Sequence, residues 1–218
     1  MKYIVVDLEF TDIPKSKPEI KAISKHEIIE IGAIMLDEKM NIVDAFSMFV
    51  KPEYSPLTPV CASLTGITNK DLENSLCFRD AFRLFSEWLS RDEYKIYTWS
   101  NNDKIQFERE CRLKNMQKEF ESLTKRRWID LQRLYMRFSG INQNMQLERA
   151  LNALDIETTG HLHRAIDDAK NTAEILRIMK NPAESAERFG AIHRFLEPDT
   201  SGQYSTLGDL FNLLITEE

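Results

Sequence analysis

Four acidic side chains and two histidines carry the chemistry open to this sequence. Asp7 and Glu9 stand two apart in YIVVDLEF, at the end of an apolar run. The period of a strand puts both carboxylates on one face of a sheet, where they repel unless something positive lies between them. Asp103, in TWSNNDKIQF, follows a second short apolar run and falls in the first turn of a helix, where a carboxylate also complements the macrodipole. Asp168 belongs to GHLHRAIDDAKNTAEILRIM, residues 160–179. At about 100° per residue, Ala165, Ala169, Thr172, Ala173, Ile175, Leu176 and Met179 form one stripe of that helix. Asp168 falls inside the stripe, whereas Asp167 points away beside Asn171 and Glu174. A carboxylate aimed at a core is costly unless it is hydrogen-bonded, protonated or bound to a cation. A single such aspartate most often caps a neighbouring loop. Four converging carboxylates would instead form an all-oxygen nest that suits Mg²⁺ or Mn²⁺. His161 and His163, seven and five residues ahead of Asp168, could each bring an imidazole to the helix entrance and take a proton from a water there. His26 and His193 have no such company.

The elements that must position these groups can be read from periodicity. Tyr3–Leu8 is a buried strand, and 27–36 and 42–50 form a hairpin across the polar turn 37–41. The stretch 52–69 reads as loop, broken by Pro52, Pro56, Pro59 and Gly66. A helix is expected over about 78–90, a strand over 94–98, and then a helix capped by Asn101 or Asn102 and running to about Lys114. The segments 128–138 and 145–154 look helical, as do 164–179 and about 183–195. A strand meander followed by alternating strand and helix indicates an α/β domain with a mixed sheet. Beyond it, Leu207, Leu210, Phe211, Leu214 and Ile215 make a complete amphipathic stripe. That last helix is expected to dock on its own domain, or else on a partner chain or a second copy.

Composition narrows the setting. The 218 residues fit one large domain, 1–180, with an appendage, 181–218. The opening MKYIVVDLEF is neither a secretory signal nor a membrane span, and no membrane association is expected. Cys61, Cys77 and Cys111 lack metal or disulfide spacing and read as reduced cysteines of a cytoplasmic protein. The net charge of −6 hides an asymmetry. Residues 104–149 hold eleven Lys/Arg against six Asp/Glu, a balance of +5, so the remainder carries −11. Such a chain can present a cationic surface to nucleic acid, although the same charges also serve solubility.

The ordered set Asp7-x-Glu9, Asp103 and His163-x4-Asp168 resembles the DEDDh 3′–5′ exonuclease superfamily, the fold of RNase T and polymerase proofreading subunits. That family places its histidine five residues before the last aspartate, which selects His163 over His161. The stretches HEIIEIGAIMLD, FSMFVKP, CASLTGIT and HRAIDDAKNTAEIL are similar to the enhanced-RNAi subgroup, which includes the histone-mRNA 3′ exonuclease and sporulation-inhibitor-type (KapD-like) relatives. The resemblance covers roughly residues 2–180 and looks like the compact type with no accessory domain ahead of the core. Phe10-Thr11 stands where proofreading enzymes have Thr-Thr-Gly, and Ser100-Asn101-Asn102 where the subgroup often has Trp-Gly.

The resemblance implies a ribonuclease H-like, five-stranded mixed sheet flanked by helices, with extra C-terminal helices. It implies a 3′–5′ exonuclease that releases nucleoside 5′-monophosphates from single-stranded RNA or DNA ends, RNA first. Asp7, Glu9, Asp103 and Asp168 would hold two divalent ions, Mg²⁺ or Mn²⁺, with His163 as general base. Leu8, Phe10 (through its backbone), Leu64, Thr65, Trp99 and His163 would face the terminal nucleotide. The alternative is a catalytically silent nucleic-acid-binding or scaffold protein that retains the fold, although a binder has no need to hold four carboxylates together.

Overall fold

The computed structural model describes residues 1–89, 93–124 and 128–196. Among the described residues six strands form one sheet, in the order β4-β3-β2-β1-β5-β6. β1 (Lys2–Asp12), β2 (His26–Leu36) and β3 (Ile42–Lys51) are the antiparallel meander. β5 (Tyr94–Thr98) and β6 (Trp128–Asp130) add in parallel beyond β1, and the two-residue β4 (Leu76–Cys77) adds in parallel beyond β3. The sheet is therefore mixed, as expected, with one strand more than the expected five. Trp128–Asp130 is a strand rather than the first turn of a helix. Asp130 ends it and caps the helix that follows, its Oδ1 accepting the Arg133 N–H at 3.0 Å.

Along β1 the alternation is strict. Ile4, Val6 and Leu8 enter the core under α4 (Phe78–Leu89) and α5 (Asn102–Leu113), while Val5 enters the core under α7 (Leu131–Ser139), α8 (Leu147–Ala153) and α9 (Ala165–Lys180). Both faces of the central strands are thus covered, which explains their near-continuous apolar runs. Among the described residues no helix is long and apolar enough to cross a membrane.

Two short helices occupy the stretch read as loop. In α2 (Pro59–Thr65), Thr58 caps the Cys61 N–H, Pro59 takes the first turn and Gly66 closes the helix at φ 69°. In α3 (Asn69–Glu73), Thr68 and Asp71 form a capping box. α1 (Pro18–Ile23) and α6 (Gln117–Thr124) were likewise not expected; α1 buries none of its residues, so it leaves no apolar period to read. α10 (Pro182–Leu196) sends Phe189 and Ile192 into the core under α9, so this part of the appendage is built into the domain. The amphipathic segment 207–215 lies outside the described residues.

Candidate metal-dependent active site

The acidic residues gather where β1 leaves the core. Val5, Asp7 and Glu9 share a strand face, and Val5 is fully buried, so that face passes from apolar packing to charge within two residues. Gly32 is the strand partner of Asp7. A Cβ on Gly32 would stand 2.2 Å from the Ala165 carbonyl carbon and 2.3 Å from the Ile166 nitrogen, so only glycine lets the first turn of α9 lie this close to the sheet. Glu30, the partner of Glu9, is fully buried and binds Arg164 in a fork, with Nε to Oε2 at 3.1 Å and Nη2 to Oε1 at 3.1 Å. The Ala165 N–H also donates to Glu30 Oε2, at 3.2 Å. Gly32 fixes the depth of α9 and the Glu30–Arg164 pair fixes its entry; Asp168 follows one turn later.

The paired aspartates of α9 have different partners. Asp167 Oδ2 accepts the His161 N–H at 3.0 Å, and Lys170 stands 3.5 Å from Oδ1. Asp168 Oδ2 accepts the His163 N–H at 3.0 Å, but Asp168 Oδ1 is buried with no hydrogen-bond partner among the described residues. Asn171, also buried, holds the Thr159 backbone from both sides, accepting its N–H at 2.9 Å and donating to its carbonyl at 3.1 Å. The loop entering α9 is thus pinned by the helix's own side chains. His163 pays for this with a left-handed backbone, φ 65°, a conformation that costs a non-glycine residue roughly 1–2 kcal/mol. Such strain is a common mark of functional positions.

One ligand atom each from Glu9, His163 and Asp168 lies within 4.8 Å of the others. Asp7 and Asp103 stand outside that tight group, yet Asp103 adds to the rise at Glu9, and Glu9 and Asp168 add to the rise at Asp7. Burial, then Asp103, Glu9 and Asp168, hold the Asp7 carboxyl well above the ordinary carboxylate range. Burial, then Asp168 and Glu30, push Glu9 up to about 8. Burial pushes Asp103 up to about 7, with Asp130 and Asp168 adding to the rise and backbone amides, that of Leu8 among them, opposing it. Burial also raises Asp168, against the pull of the His163 amide. Two cationic groups oppose this rise: Arg164, whose guanidinium Glu30 already occupies, at Glu9, and the His163 imidazole, when protonated, at Asp168. Four converging carboxylates with no lysine or unpaired arginine against them among the described residues, one with a buried oxygen that meets no donor, fit a hard divalent ion.

The residues expected to face a nucleotide divide by exposure. Leu64 is 55% exposed on α2, one turn from Val60, and offers a free apolar side chain. Leu8 turns into the core on the opposite face from Glu9. Thr65 is buried, its hydroxyl donating to the Cys61 carbonyl at 2.8 Å and accepting the Ile67 N–H at 3.1 Å. Trp99 is buried edge-on against Tyr135 and donates Nε1 to the Met145 carbonyl at 2.9 Å. The Phe10 carbonyl accepts from the Cys61 thiol at 3.4 Å.

Glu30, Gly32, Arg164 and Asn171 were not singled out from the sequence. Two signals were there: a glutamate inside the apolar run IIEIGAIML needs a buried partner, and a glycine two residues later in the same strand marks a close backbone approach.

The exonuclease family model (RNase_T) matches residues 4–176. The chain is 29% identical over 170 residues to 3′-5′ exoribonuclease 1 of Rattus norvegicus, covering 73% of this chain and 48% of that protein. It is 27% identical over 187 residues to the probable 3′-5′ exonuclease KapD of Bacillus subtilis, covering 85% of this chain and 87% of that protein. The chain thus spans about half the length of the rat relative but most of KapD. Among solved structures, the nuclease domain of 3′hExo, a DEDDh family member bound to rAMP, superposes with a TM-score of 0.67 at 25% identity, over 82% of this chain and 90% of that one.

Proposed function

The chain belongs to the exonuclease family whose model spans residues 4–176, and from that premise we propose that it removes nucleoside 5′-monophosphates from the 3′ end of single-stranded RNA, using divalent metal ions. The observation that carries this reading is the buried Oδ1 of Asp168, which meets no hydrogen-bond donor among the described residues and is set among Asp7, Glu9 and Asp103. Asp7, Glu9, Asp103 and Asp168 are the residues that would hold Mg²⁺ or Mn²⁺. Two such ions, when bound, supply an acidified water and a counter-charge for the leaving 3′ oxygen.

The chain's own groups do the rest. His163 is exposed beside Glu9 and Asp168, and its imidazole takes the proton of the attacking water. Its N–H bond to Asp168 and its left-handed backbone fix where the ring starts from. Exposed Leu64 on α2 offers the terminal base an apolar surface, while the Phe10 carbonyl, accepting from the Cys61 thiol, ties α2 to β1. RNA is preferred over DNA because the similar proteins named for a polymer are exoribonucleases. A reducing, cytoplasmic setting goes with this reading, since Cys61, Cys77 and Cys111 are all free thiols.

The test is 5′-labelled single-stranded RNA with Mn²⁺, with and without chelator. A ladder that shortens from the 3′ end only when metal is present is expected. An unchanged band across several metals and pH values would defeat the proposal.

A further inference from the structure

Beside the carboxylates, at the same edge of the sheet, lies a polar cavity that the chemistry above does not use. Its volume is about 480 Å³, inside the range of roughly 300–1,000 Å³ common for small-ligand sites. Asn101, Gln132, Arg133, Asn144 and Gln146 line it, and Asn101 is only two residues ahead of Asp103. A second cavity of about 280 Å³ shares Asn101, Asp130 and Arg133 with it and continues to Arg137.

The walls are built rather than accidental. The Met145 carbonyl accepts from Trp99 Nε1 at 2.9 Å and from Gln132 Nε2 at 2.7 Å, and the Gln132 N–H donates to the Trp99 carbonyl at 3.0 Å. These three bonds hold the start of α7 and the entry to α8 against the end of β5. Three of the amides and one arginine facing inward keep most of their hydrogen-bonding capacity. Among the described residues, no hydrogen bond involves the side-chain amides of Asn101, Asn144 or Gln146; Asn101 stands at the N-cap of α5 but its side chain makes no capping bond. The Arg133 side chain is 81% exposed, and its one ion pair among the described residues, to Asp130, is long at 3.8 Å. Asp130 is the only carboxylate among the lining residues of either cavity, and its other oxygen is spent on the Arg133 N–H.

Unpaired amides read the edges of unstacked bases, and exposed arginines neutralise phosphates. Both arginines lie in 104–149, the stretch with a positive balance on an otherwise acidic chain. We propose that this amide- and arginine-lined groove binds an upstream nucleotide of the same strand whose 3′ end enters the carboxylate cluster, Arg133 and Arg137 taking its phosphates and the amides of Asn101, Asn144 and Gln146 its base. The proposal rests on the exonuclease reading for its choice of ligand. It makes the groove the determinant of how long a strand the protein grips, separate from the residues that cleave.

The test compares wild type, Arg133→Ala and Asn144→Ala/Gln146→Ala on two substrates with Mn²⁺: a single-stranded 12-mer RNA and the p-nitrophenyl ester of thymidine 5′-monophosphate, which is too short to reach the groove. The expected result is a KM for the 12-mer raised about tenfold with kcat kept, as the loss of a phosphate or base contact would give, and no change with the ester. Fluorescence anisotropy of the labelled 12-mer in chelator should show Arg133→Ala lowering the salt slope of binding by about one. Wild type that binds RNA without cleaving it, while the variants bind more weakly, would support the groove and sink the nuclease reading. Wild type that cleaves the 12-mer while both variants match its KM and salt slope would overturn the groove and spare the nuclease. Wild type that neither binds nor cleaves overturns both.

Discussion

Strand β2 carries two buried glutamates three residues apart, and each looks into a different cluster of carboxylates. Glu27 meets Glu53 and Glu110 around Lys114, whose Nζ lies 3.2 Å from Glu27, 3.1 Å from Glu53 and 3.9 Å from Glu110. Glu27 also accepts the N–H groups of Glu53 and Tyr54, each at 2.8 Å, and the Lys114 ammonium sits 4.1 Å above the Tyr54 ring. Glu30 faces Glu9 and the group formed with Asp7, Asp103 and Asp168, but it takes Arg164 for itself. In the first cluster the chain brings its own cation, and the carboxylates serve to tie the segment after β3 to β2 and α5. In the second the guanidinium of Arg164 is spent on Glu30, and no lysine or further arginine pairs with the other four among the described residues. Both clusters desolvate charge, and the difference in counter-charge separates a structural network from a place prepared for an ion from solution.

Neutralising a carboxylate of the second cluster and removing the cation of the first should therefore move stability and activity in different ways. The largest effect is expected from Asp168→Asn or from chelation. Removing several kcal/mol of transition-state charge stabilisation should cut RNA cleavage by about 10³-fold or more. The same substitution should raise the melting temperature of the metal-free protein, because it removes a charge from a group of like charges. A lower melting temperature would show that Asp168 is paired after all. Next comes His163→Ala, with an expected loss in kcat of about 10²–10⁴-fold, against a change of about twofold or less for His161→Ala, whose side chain is exposed. Equal losses would leave the choice of base open to either ring.

Lys114→Met tests the other cluster. The Lys114 side chain is 6% exposed, and removing the cation strands three carboxylates, a cost of about 3–5 kcal/mol. That should lower the melting temperature on the order of 10 °C and leave turnover per folded molecule unchanged. A fall in turnover without a fall in stability would mean that the two clusters are not separate in function.

The smallest expected effect is the pH dependence of stability without metal. Glu9 at about 8 and Asp103 at about 7 are raised in the folded protein above their ordinary values. Their contribution to stability is therefore complete at acid pH, below the unfolded-state values, and is lost as pH rises toward 7 to 8. Chelated protein should melt lower at pH 8.5 than at pH 5.5. Burial also pushes Glu110 up to about 8, so the Lys114 cluster adds a loss of the same sign. Mn²⁺ should restore only the first part, and Glu110→Gln only the second. Complete rescue by Mn²⁺ alone would erase the distinction between the clusters.

Much of this was legible in the residues, for reasons tied to period. Asp7 and Glu9 could be put on one face because a strand repeats every two residues, and Asp168 could be aimed inward because a helix repeats every 3.6. The same logic failed where an element was too short to show a period. β4 has two residues and β6 three, and Trp128 and Ile129 read equally well as the start of the stripe that Leu131, Leu134, Tyr135 and Phe138 carry into the core. The helices at 59–65 and 69–73 announced themselves only through caps, Thr58 with Pro59 and Thr68 with Asp71, which breakers on either side obscured.

The linear order of residues determined which chemistry was on offer: four acids, a histidine at a fixed offset from the last of them, and strands and a helix whose periods turn those side chains inward. It could not say which acids would be left without a cation. Glu30 and Arg164 are 134 positions apart, as a pairing only the folded sheet can make, and Gly32 matters because a helix from the far end of the chain rests on it. Counter-charge is a property of neighbours in space, so the difference between the Lys114 network and the bare oxygen of Asp168 was decided by tertiary structure alone.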